Sequence, residues 1–158
     1  MIARAVSITS AGDDSAATFT VRGYDIYGYP MTETITGANT TIARGAKAFK
    51  YIVSITPGGT LAGAAVTAGV TDIIGLPIRA DYVSETQISM ADAWITASTG
   101  FTAAVTTTAT ATTGDVRGTY ALQTASNNAR RLAITVSPSV ANISSSSGLF
   151  GVTQYSDF

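Results

Sequence analysis

Hydrophobic and polar residues alternate with a period of two along much of this chain. In residues 17–26, Phe19 and Val21 fall on one side of an extended backbone and Tyr24 falls on the other. In residues 31–37, apolar residues and Glu33 alternate with threonines. This alternation is typical of half-buried β-strands. The two runs are therefore predicted to be strands.

The short segment between these runs predicts a hairpin. It reads Tyr27-Gly28-Tyr29-Pro30, and Pro30 fits at a turn or at the first position of a strand, where no ladder N–H is needed. Tyrosine offers a large contact area with a polar tip at low entropic cost. Because no core strand requires Tyr27 and Tyr29 at the turn, we predict that at least one of them contacts another chain.

Further strands are predicted wherever apolar alternation is bounded by Gly, Pro, Asn or Asp. They fall at residues 5–9, 49–55, 66–75, 81–89, 102–107, 117–122, 131–137 and 149–155. In the second of these, the side chains of Phe49, Tyr51, Val53 and Ile55 should share one face, and Pro57-Gly58-Gly59 should end the strand. Helical periodicity is weak, and its only candidates are residues 40–49 and a short turn around Trp94. The predicted fold class is all-β, a two-sheet antiparallel β-sandwich (jelly-roll or Ig-like) with little or no helix.

A single domain is predicted for the 158 residues, with two unusual segments. Residues 102–114 are low-complexity Thr/Ala, which suits either a flexible linker or an edge strand; β-branched threonine favours the strand. Residues 149–158 are aromatic and almost uncharged, so we expect them to dock as a C-terminal arm or edge strand.

Composition excludes several classes of chemistry. The chain has no cysteine and no histidine, which removes disulfides, thiolate chemistry, the usual general base and the commonest transition-metal ligand. Its net charge is −1 without a basic block, so the cationic footprint of a nucleic-acid binder is missing. No segment has the form of a signal peptide or a membrane span. We therefore expect no enzyme, no cofactor, no metal, no nucleic-acid partner and no membrane association, and synthesis in a cytoplasm.

Two pairs of carboxylates are candidate sites. Asp13 and Asp14 offer oxygen ligands for calcium, but their spacing is not that of a calcium loop and Gly-Asp-Asp-Ser is ordinary turn chemistry. Asp25 and Glu33 lie near one hairpin, and two carboxylates could supply the acid and the base of a glycosidase. A glycosidase also needs an aromatic-lined cleft, and the chain has one Trp. We expect Glu33 to pair with a neighbouring Arg or Lys, or to face a partner subunit.

Two further features have competing interpretations. Arg130 and Arg131 form an isolated basic pair, which suits charges at a strand edge or a salt bridge better than a nucleic-acid patch. Trp94 suits a core residue or a subunit contact better than a sugar-binding platform. No glycine-rich segment has the spacing of a phosphate-binding loop.

Three segments resemble a protein family. The first has the form F-T-V-x-G-x-D-x-x-G-x-x-x-T-E-T-I-T-G, matched here by Phe19, Thr20, Val21, Gly23, Asp25, Gly28 and residues 32–37. The second is residues 47–80, and the third is "TTGDVRGTYAL" with the sequence that follows it. Together they cover most of the chain and resemble the head decoration, or cement, proteins of short-tailed and related bacteriophages.

This resemblance implies a structural virion protein with a β-sandwich or jelly-roll-like fold. Such a protein would bind the major capsid protein on the outside of an icosahedral capsid and stabilise it, after synthesis in the host bacterial cytoplasm. A homo-oligomer is implied, with a trimer favoured and a dimer as the alternative. Other interpretations are a head fibre base, a tail component or a carbohydrate-binding module. The residues expected to contact partners are Tyr27, Tyr29, Trp94, Phe150, Tyr155 and Phe158.

Overall fold

The computed structural model describes residues 2–91, 93–95, 99–105, 114–127, 129 and 131–137. This part of the chain is all-β: it contains eleven strands, one 3-10 helix (Val83–Glu85) and no α-helix. The strands are β1 (Arg4–Ser10), β2 (Thr18–Tyr24), β3 (Pro30–Thr36), β4 (Ile42–Phe49), β5 (Tyr51–Gly58), β6 (Val66–Gly75), β7 (Thr86–Met90), β8 (Ala93–Ile95), β9 (Phe101–Thr102), β10 (Thr119–Ala121) and β11 (Leu132–Val136).

The described strands form three antiparallel sheets. One has five strands in the order β4-β1-β6-β10-β9, and the others have the orders β3-β2-β5 and β11-β7-β8. Strand β1 lies between β4 and β6, and the register shifts in both pairings around Ala5. Such shifts mark β-bulges, where backbone N–H groups leave the regular ladder and need other acceptors.

Two hydrophobic clusters hold these sheets together. The first joins the β3-β2-β5 sheet to β1 and β4, because the alternate residues of each strand face a common interior. Its buried members are Val6, Ile8, Ala17, Phe19, Val21, Met31, Ile35 and Phe49. The second cluster brings β6 and β10 together with β7, and its buried members are Ile74, Leu76, Ala80, Ile88 and Tyr120. Burial of this apolar surface is the main stabilising contribution to the fold.

The predicted hairpin is confirmed. Strands β2 and β3 pair continuously from Thr18 opposite Thr36 to Tyr24 opposite Pro30. Phe19 and Val21 are buried on one face, as the alternation predicts. Strand β6 has the predicted bounds, Val66–Gly75.

Both helical candidates are wrong. Residues 42–49 form strand β4, because its backbone pairs with β1 and its small residues, such as Gly45, hide the alternation of buried and exposed positions. The predicted turn around Trp94 is strand β8, which pairs with β7 and places Trp94 opposite Ser89. Tertiary pairing outweighs the weak local preference in both segments.

The predicted strand at residues 49–55 is two strands in two sheets. Phe49 ends β4 and is buried, whereas Tyr51 and Val53 of β5 are 62% and 63% exposed. The chain changes sheets at Lys50, whose N–H bonds the carbonyl of Tyr24 at 2.8 Å. The four side chains therefore do not share a face. Strand β5 also continues to Gly58 instead of ending before Pro57.

Other predicted strands are shorter than expected or lie elsewhere. Residues 81–89 contain the 3-10 helix before β7. Strand β9 ends at Thr102, residues 103–105 are not strand, and residues 106–113 lie outside the described part. The predicted strand 149–155 and the arm 149–158 also lie outside it.

Candidate interaction site

The hairpin turn between β2 and β3 is held by the side chain of Asp25. Its Oδ1 accepts hydrogen bonds from the N–H groups of Tyr27 at 2.8 Å and Tyr29 at 2.9 Å. The backbone of Asp25 adds a bond from its own N–H to the Tyr29 carbonyl at 3.0 Å. Gly28 has a φ of 84°, a left-handed conformation that glycine adopts without strain. The two tyrosines therefore project from a turn whose backbone is fixed.

Asp25 is tied in turn to a distant part of the chain. Its Oδ2 lies 2.8 Å from Nη1 of Arg117, and both side chains are almost completely buried. The guanidinium of Arg117 also lies over the Tyr27 ring, 5.4 Å from its centroid, which is cation–π geometry. The Tyr27 hydroxyl donates to the carbonyl of Pro77. The turn is thus fixed to the loop before β10 and to the loop after β6.

We call the exposed end of this sheet the tyrosine corner: Tyr24, Ile26, Tyr27, Tyr29 and Tyr51. Tyr24 lies opposite Pro30 on one side and Tyr51 on the other, so the turn and β5 meet at the same end of the sheet. Tyr27 and Tyr29 are each 41% exposed. The close approach of β2 to β5 requires Gly23, because a Cβ there would overlap the carbonyl oxygen of Tyr51.

Further charged side chains lie in the interior. Glu33 Oε1 accepts from the N–H groups of Ala46 at 2.5 Å and Lys47 at 3.1 Å. Asp115 Oδ2 accepts from the Ala48 N–H at 3.0 Å. Three consecutive amides of β4, released from the ladder by its bulge, are therefore bonded to two carboxylates. Asp115 Oδ1 also accepts from the Arg117 N–H at 2.9 Å, so this group adjoins the Asp25–Arg117 pair.

Burial changes the acidity of these interior groups. Loss of hydration raises the pKa of the Glu33 carboxyl. It also raises the pKa of the Asp115 carboxyl, which is more completely buried. The same effect lowers the pKa of the Lys47 ammonium, against the attraction of both carboxylates. Burial thus shifts the pKa of each of the three groups in the direction of its uncharged form.

The predicted contact residues do not form one site. Tyr27 and Tyr29 lie in the tyrosine corner, as predicted, and their contact with another chain stays a prediction. Trp94 is 71% exposed on β8, in a different sheet, so it is not a core residue. Phe150, Tyr155 and Phe158 lie outside the described residues.

The carboxylate pairs have structural partners. Asp13 bonds the N–H and hydroxyl of Ser15, as expected of a turn, and Asp14 is buried and accepts from Ala62 N–H at 2.8 Å. Within the described residues no group of three or more carboxylates could hold a metal. Asp25 and Glu33 are both buried.

The predicted ion pair of Glu33 with an Arg or Lys is wrong within the described residues, whereas the alternative, contact with a partner subunit, stays a prediction. Glu33 accepts from backbone amides of β4 and forms no salt bridge with a described Arg or Lys. The bulge frees these N–H groups from strand pairing. The alternation of residues along the sequence does not predict where a bulge occurs. Of the basic pair, Arg130 lies outside the described residues and Arg131 directly precedes β11.

Three residues of the site were missed from the sequence: Tyr51, Asp115 and Arg117. The sequence predicts Tyr51 on one strand face with Phe49, Val53 and Ile55, and does not predict it beside the turn. One feature of the sequence could have indicated Asp115 and Arg117. They are two charged residues in the glycine-flanked segment "GDVRG", in a chain with only 12% charged residues. In the described part six charged residues are buried, among them Asp25, Asp115 and Arg117.

Comparisons with known proteins add no identification. No protein-family model, curated protein or solved structure matches this chain. Among the described residues, no helix is long and apolar enough to cross a lipid bilayer.

Proposed function

We propose that this protein is a structural virion protein that binds the outside of an icosahedral phage capsid and stabilises it. The observation that carries the proposal is the tyrosine corner, an exposed aromatic surface on a turn fixed by a buried ion pair. Rigid aromatic side chains are the residues on which protein interfaces most depend, since little entropy is lost when they are covered.

The β3-β2-β5 sheet and the five-stranded sheet form a two-sheet β-sandwich of the jelly-roll or Ig-like kind, and the β11-β7-β8 sheet is attached through the second hydrophobic cluster. Support comes from the first hydrophobic cluster, in which side chains of the β3-β2-β5 sheet meet those of β1 and β4. In such a sandwich the loops at each end are free to contact partners, and the tyrosine corner is one of these ends.

The partner is the major capsid protein, and several copies of the chain act together, with a trimer favoured by the resemblance. A decoration protein performs no reaction, which agrees with buried and backbone-bonded Asp25 and Glu33. In the virion the protein lies on the capsid exterior.

Co-sedimentation with expanded, undecorated capsids tests the role of the corner. Tyr29→Ala and Tyr51→Ala should each lower occupancy at least about tenfold at a fixed protein concentration, since interface hot spots contribute roughly 2 kcal/mol or more. Tyr82→Ala is the matched control, because Tyr82 is 67% exposed and lies outside the corner. Equal capsid occupancy by all three variants would show that the tyrosine corner is not part of the interface. Absence of binding by the unmodified chain would defeat the proposed function itself.

A carbohydrate-binding module is the second candidate, and one observation favours it. Trp94 projects from β8 with 71% of its surface exposed, as a sugar-stacking platform would. Because the chain has one Trp, its fluorescence reports on this residue alone. A saturable change in that fluorescence with bacterial surface polysaccharide would support this candidate, and an unchanged spectrum would exclude stacking on Trp94.

A further inference from the structure

A groove lies on the outer face of the five-stranded sheet. Ser7 forms part of its floor and stands in the chain between the buried residues Val6 and Ile8, so its side chain points away from the first hydrophobic cluster. The groove has a volume of about 420 Å³, a size typical of small-molecule sites. None of its lining residues belongs to the tyrosine corner, so the proposed capsid contact does not use it.

Strand pairing brings a cation to this floor. Ser7 lies opposite Arg44 of β4 on one side and opposite Gly69 of β6 on the other. Because directly opposed residues share a face of the sheet, the side chain of Arg44 stands beside the Ser7 hydroxyl. Gly69 has no side chain, and a Cβ there would lie 3.2 Å from Ser7 Oγ. The floor is therefore open on the β6 side.

The charge of the groove is unbalanced. Arg44 takes part in no salt bridge within the described residues. Asp72 also lines the groove, but the Ser126 hydroxyl donates to its Oδ1 at 2.7 Å, and Arg4 Nη1 lies 3.6 Å from the same oxygen. The excess charge is therefore positive and lies at Arg44. A guanidinium beside a hydroxyl is suited to a carboxylate, which it can bind through two parallel N–H bonds.

Aliphatic side chains form much of the remaining wall. Ile42, Val70, Ile73 and Leu122 line the groove, and Ile42 and Val70 are 42% and 56% exposed. A matching ligand therefore combines a carboxylate with apolar C–H surface. It also carries hydroxyl groups, because a purely aliphatic chain would cover the Ser7 hydroxyl and leave it without a hydrogen bond. A phosphate fits less well, since its second negative charge would lie near Asp72.

We propose that this groove binds a hexuronic acid, a sugar that has a carboxylate, ring hydroxyls and an apolar C–H face. Its carboxylate pairs with Arg44, a hydroxyl bonds Ser7, and the ring lies against the aliphatic wall. The inference rests on the groove alone and holds whether or not the protein decorates a capsid. It is also separate from Trp94, which lies on β8 in another sheet.

Titration of the unmodified full chain with glucuronate and galacturonate, followed by amide NMR shifts, tests the proposal. We expect saturable shifts of the Ser7, Val70 and Leu122 amides, while the fluorescence of Trp94 stays unchanged. Glucose, which is glucuronate without the carboxylate, should bind at least about tenfold more weakly, because a charge-assisted hydrogen bond is lost. Absence of saturable shifts at these amides, or equal binding of glucose, would overturn the inference.

Variants separate the roles within the groove. Arg44→Gln should lower the affinity for both uronates at least about tenfold, and Ser7→Ala should lower it about two- to tenfold. Arg22→Gln is the matched control, because Arg22 is exposed on β2 and also forms no salt bridge within the described residues. Thermal unfolding identifies any variant that fails to fold; the comparison of glucuronate with glucose on the unmodified chain decides the matter in that case. Unchanged affinity of a folded Arg44→Gln variant would contradict the proposal.

Two other probes test the class of ligand. Hexanoate offers a carboxylate without hydroxyls, and inorganic phosphate offers charge without C–H surface, so both should bind more weakly than the uronates. Tighter binding of either one would overturn the assignment to a sugar acid. Retention of the protein on immobilised polygalacturonate distinguishes a sugar acid within a polysaccharide from a free one. Both results support the proposal when the free uronates shift the groove amides, because the groove contacts the same chemical group.

Discussion

Two regions of this protein expose large aromatic side chains, and they are supported in different ways. The tyrosine corner rests on the Asp25–Arg117 pair, on two hydrogen bonds to Asp25 Oδ1 and on the contact of Tyr27 with Pro77. Trp94 lies on β8, a strand of three residues at the edge of its sheet, next to a turn in which Ala91 has a positive φ of 53°.

The difference shows that exposure alone does not define an interaction surface. Trp94 is more exposed than Tyr27 or Tyr29, yet the corner has the interior support that keeps aromatic groups in place before a partner arrives. Pre-organisation of this kind reduces the entropy lost on binding. The interior charges under the corner therefore matter to its surface, and substitutions in both regions test this difference, from the largest expected effect to the smallest.

Replacement of Arg117 should have the largest effect. Arg117→Met leaves Asp25 buried without its cation, and the free energy of unfolding should fall by about 3–5 kcal/mol. Arg79→Met is the control, because the Arg79–Asp81 pair is partly exposed and should contribute only about 0–1 kcal/mol. Urea denaturation measures both. If the two variants lose equal stability, the buried pair does not anchor the corner.

An added methyl group at Gly23 should have the next largest effect. Gly23→Ala pushes β2 away from β5 at the carbonyl of Tyr51, and overpacking of this kind costs roughly 1–3 kcal/mol. Gly69→Ala, on an exposed part of β6, should be nearly neutral by comparison. Thermal unfolding compares the two, and equal melting temperatures would show that the strands separate without cost.

The pH dependence of stability should report Glu33. Because folding raises the pKa of this carboxyl above its ordinary 4.5, its stabilising contribution is present below that value. The contribution is lost as the pH rises through the folded pKa. Glu33→Gln should flatten the fall in unfolding free energy above about pH 4.5. Parallel curves for the variant and the unmodified chain would contradict this account.

Removal of one hydroxyl from the corner should have a smaller effect. Tyr27→Phe deletes the hydrogen bond to the Pro77 carbonyl and should cost about 1 kcal/mol. Tyr29→Phe removes a hydroxyl from an equally exposed ring and should stay within about 0.5 kcal/mol of the unmodified chain. Urea denaturation measures both losses of stability. A larger loss for Tyr29→Phe than for Tyr27→Phe would show that Tyr29, and not Tyr27, fixes the turn.

Trp94 should contribute least to folding. Trp94→Ala removes a side chain that is mostly in water, so the unfolding free energy should change by less than about 0.5 kcal/mol. A loss above about 2 kcal/mol would mean that Trp94 packs against part of the chain and that the contrast with the corner is smaller than proposed.

The sequence predicted the parts of the fold that depend on neighbouring residues. The β2–β3 hairpin followed from alternation and from the Tyr-Gly-Tyr-Pro turn, and β6 followed from its β-branched residues between glycine-rich segments. Strand β4 was missed because alanine and glycine give too little contrast between its faces. The sequence predicted that Tyr27 and Tyr29 lie at a turn. It did not predict the contacts with Asp25 and Pro77 that hold this turn in place.

The sequence by itself determined the all-β class, the hairpin and the lack of histidine and cysteine chemistry, because alternation and composition are local properties. Only the tertiary structure decided which faces are covered. Tyr51 and Val53 alternate like core residues but are exposed, since β5 changes sheets at Lys50. It also decided that Asp25 meets Arg117, 92 residues away, and that Glu33, Lys47 and Asp115 share one interior. Such contacts depend on how distant strands pack, and no period of a single strand carries that information.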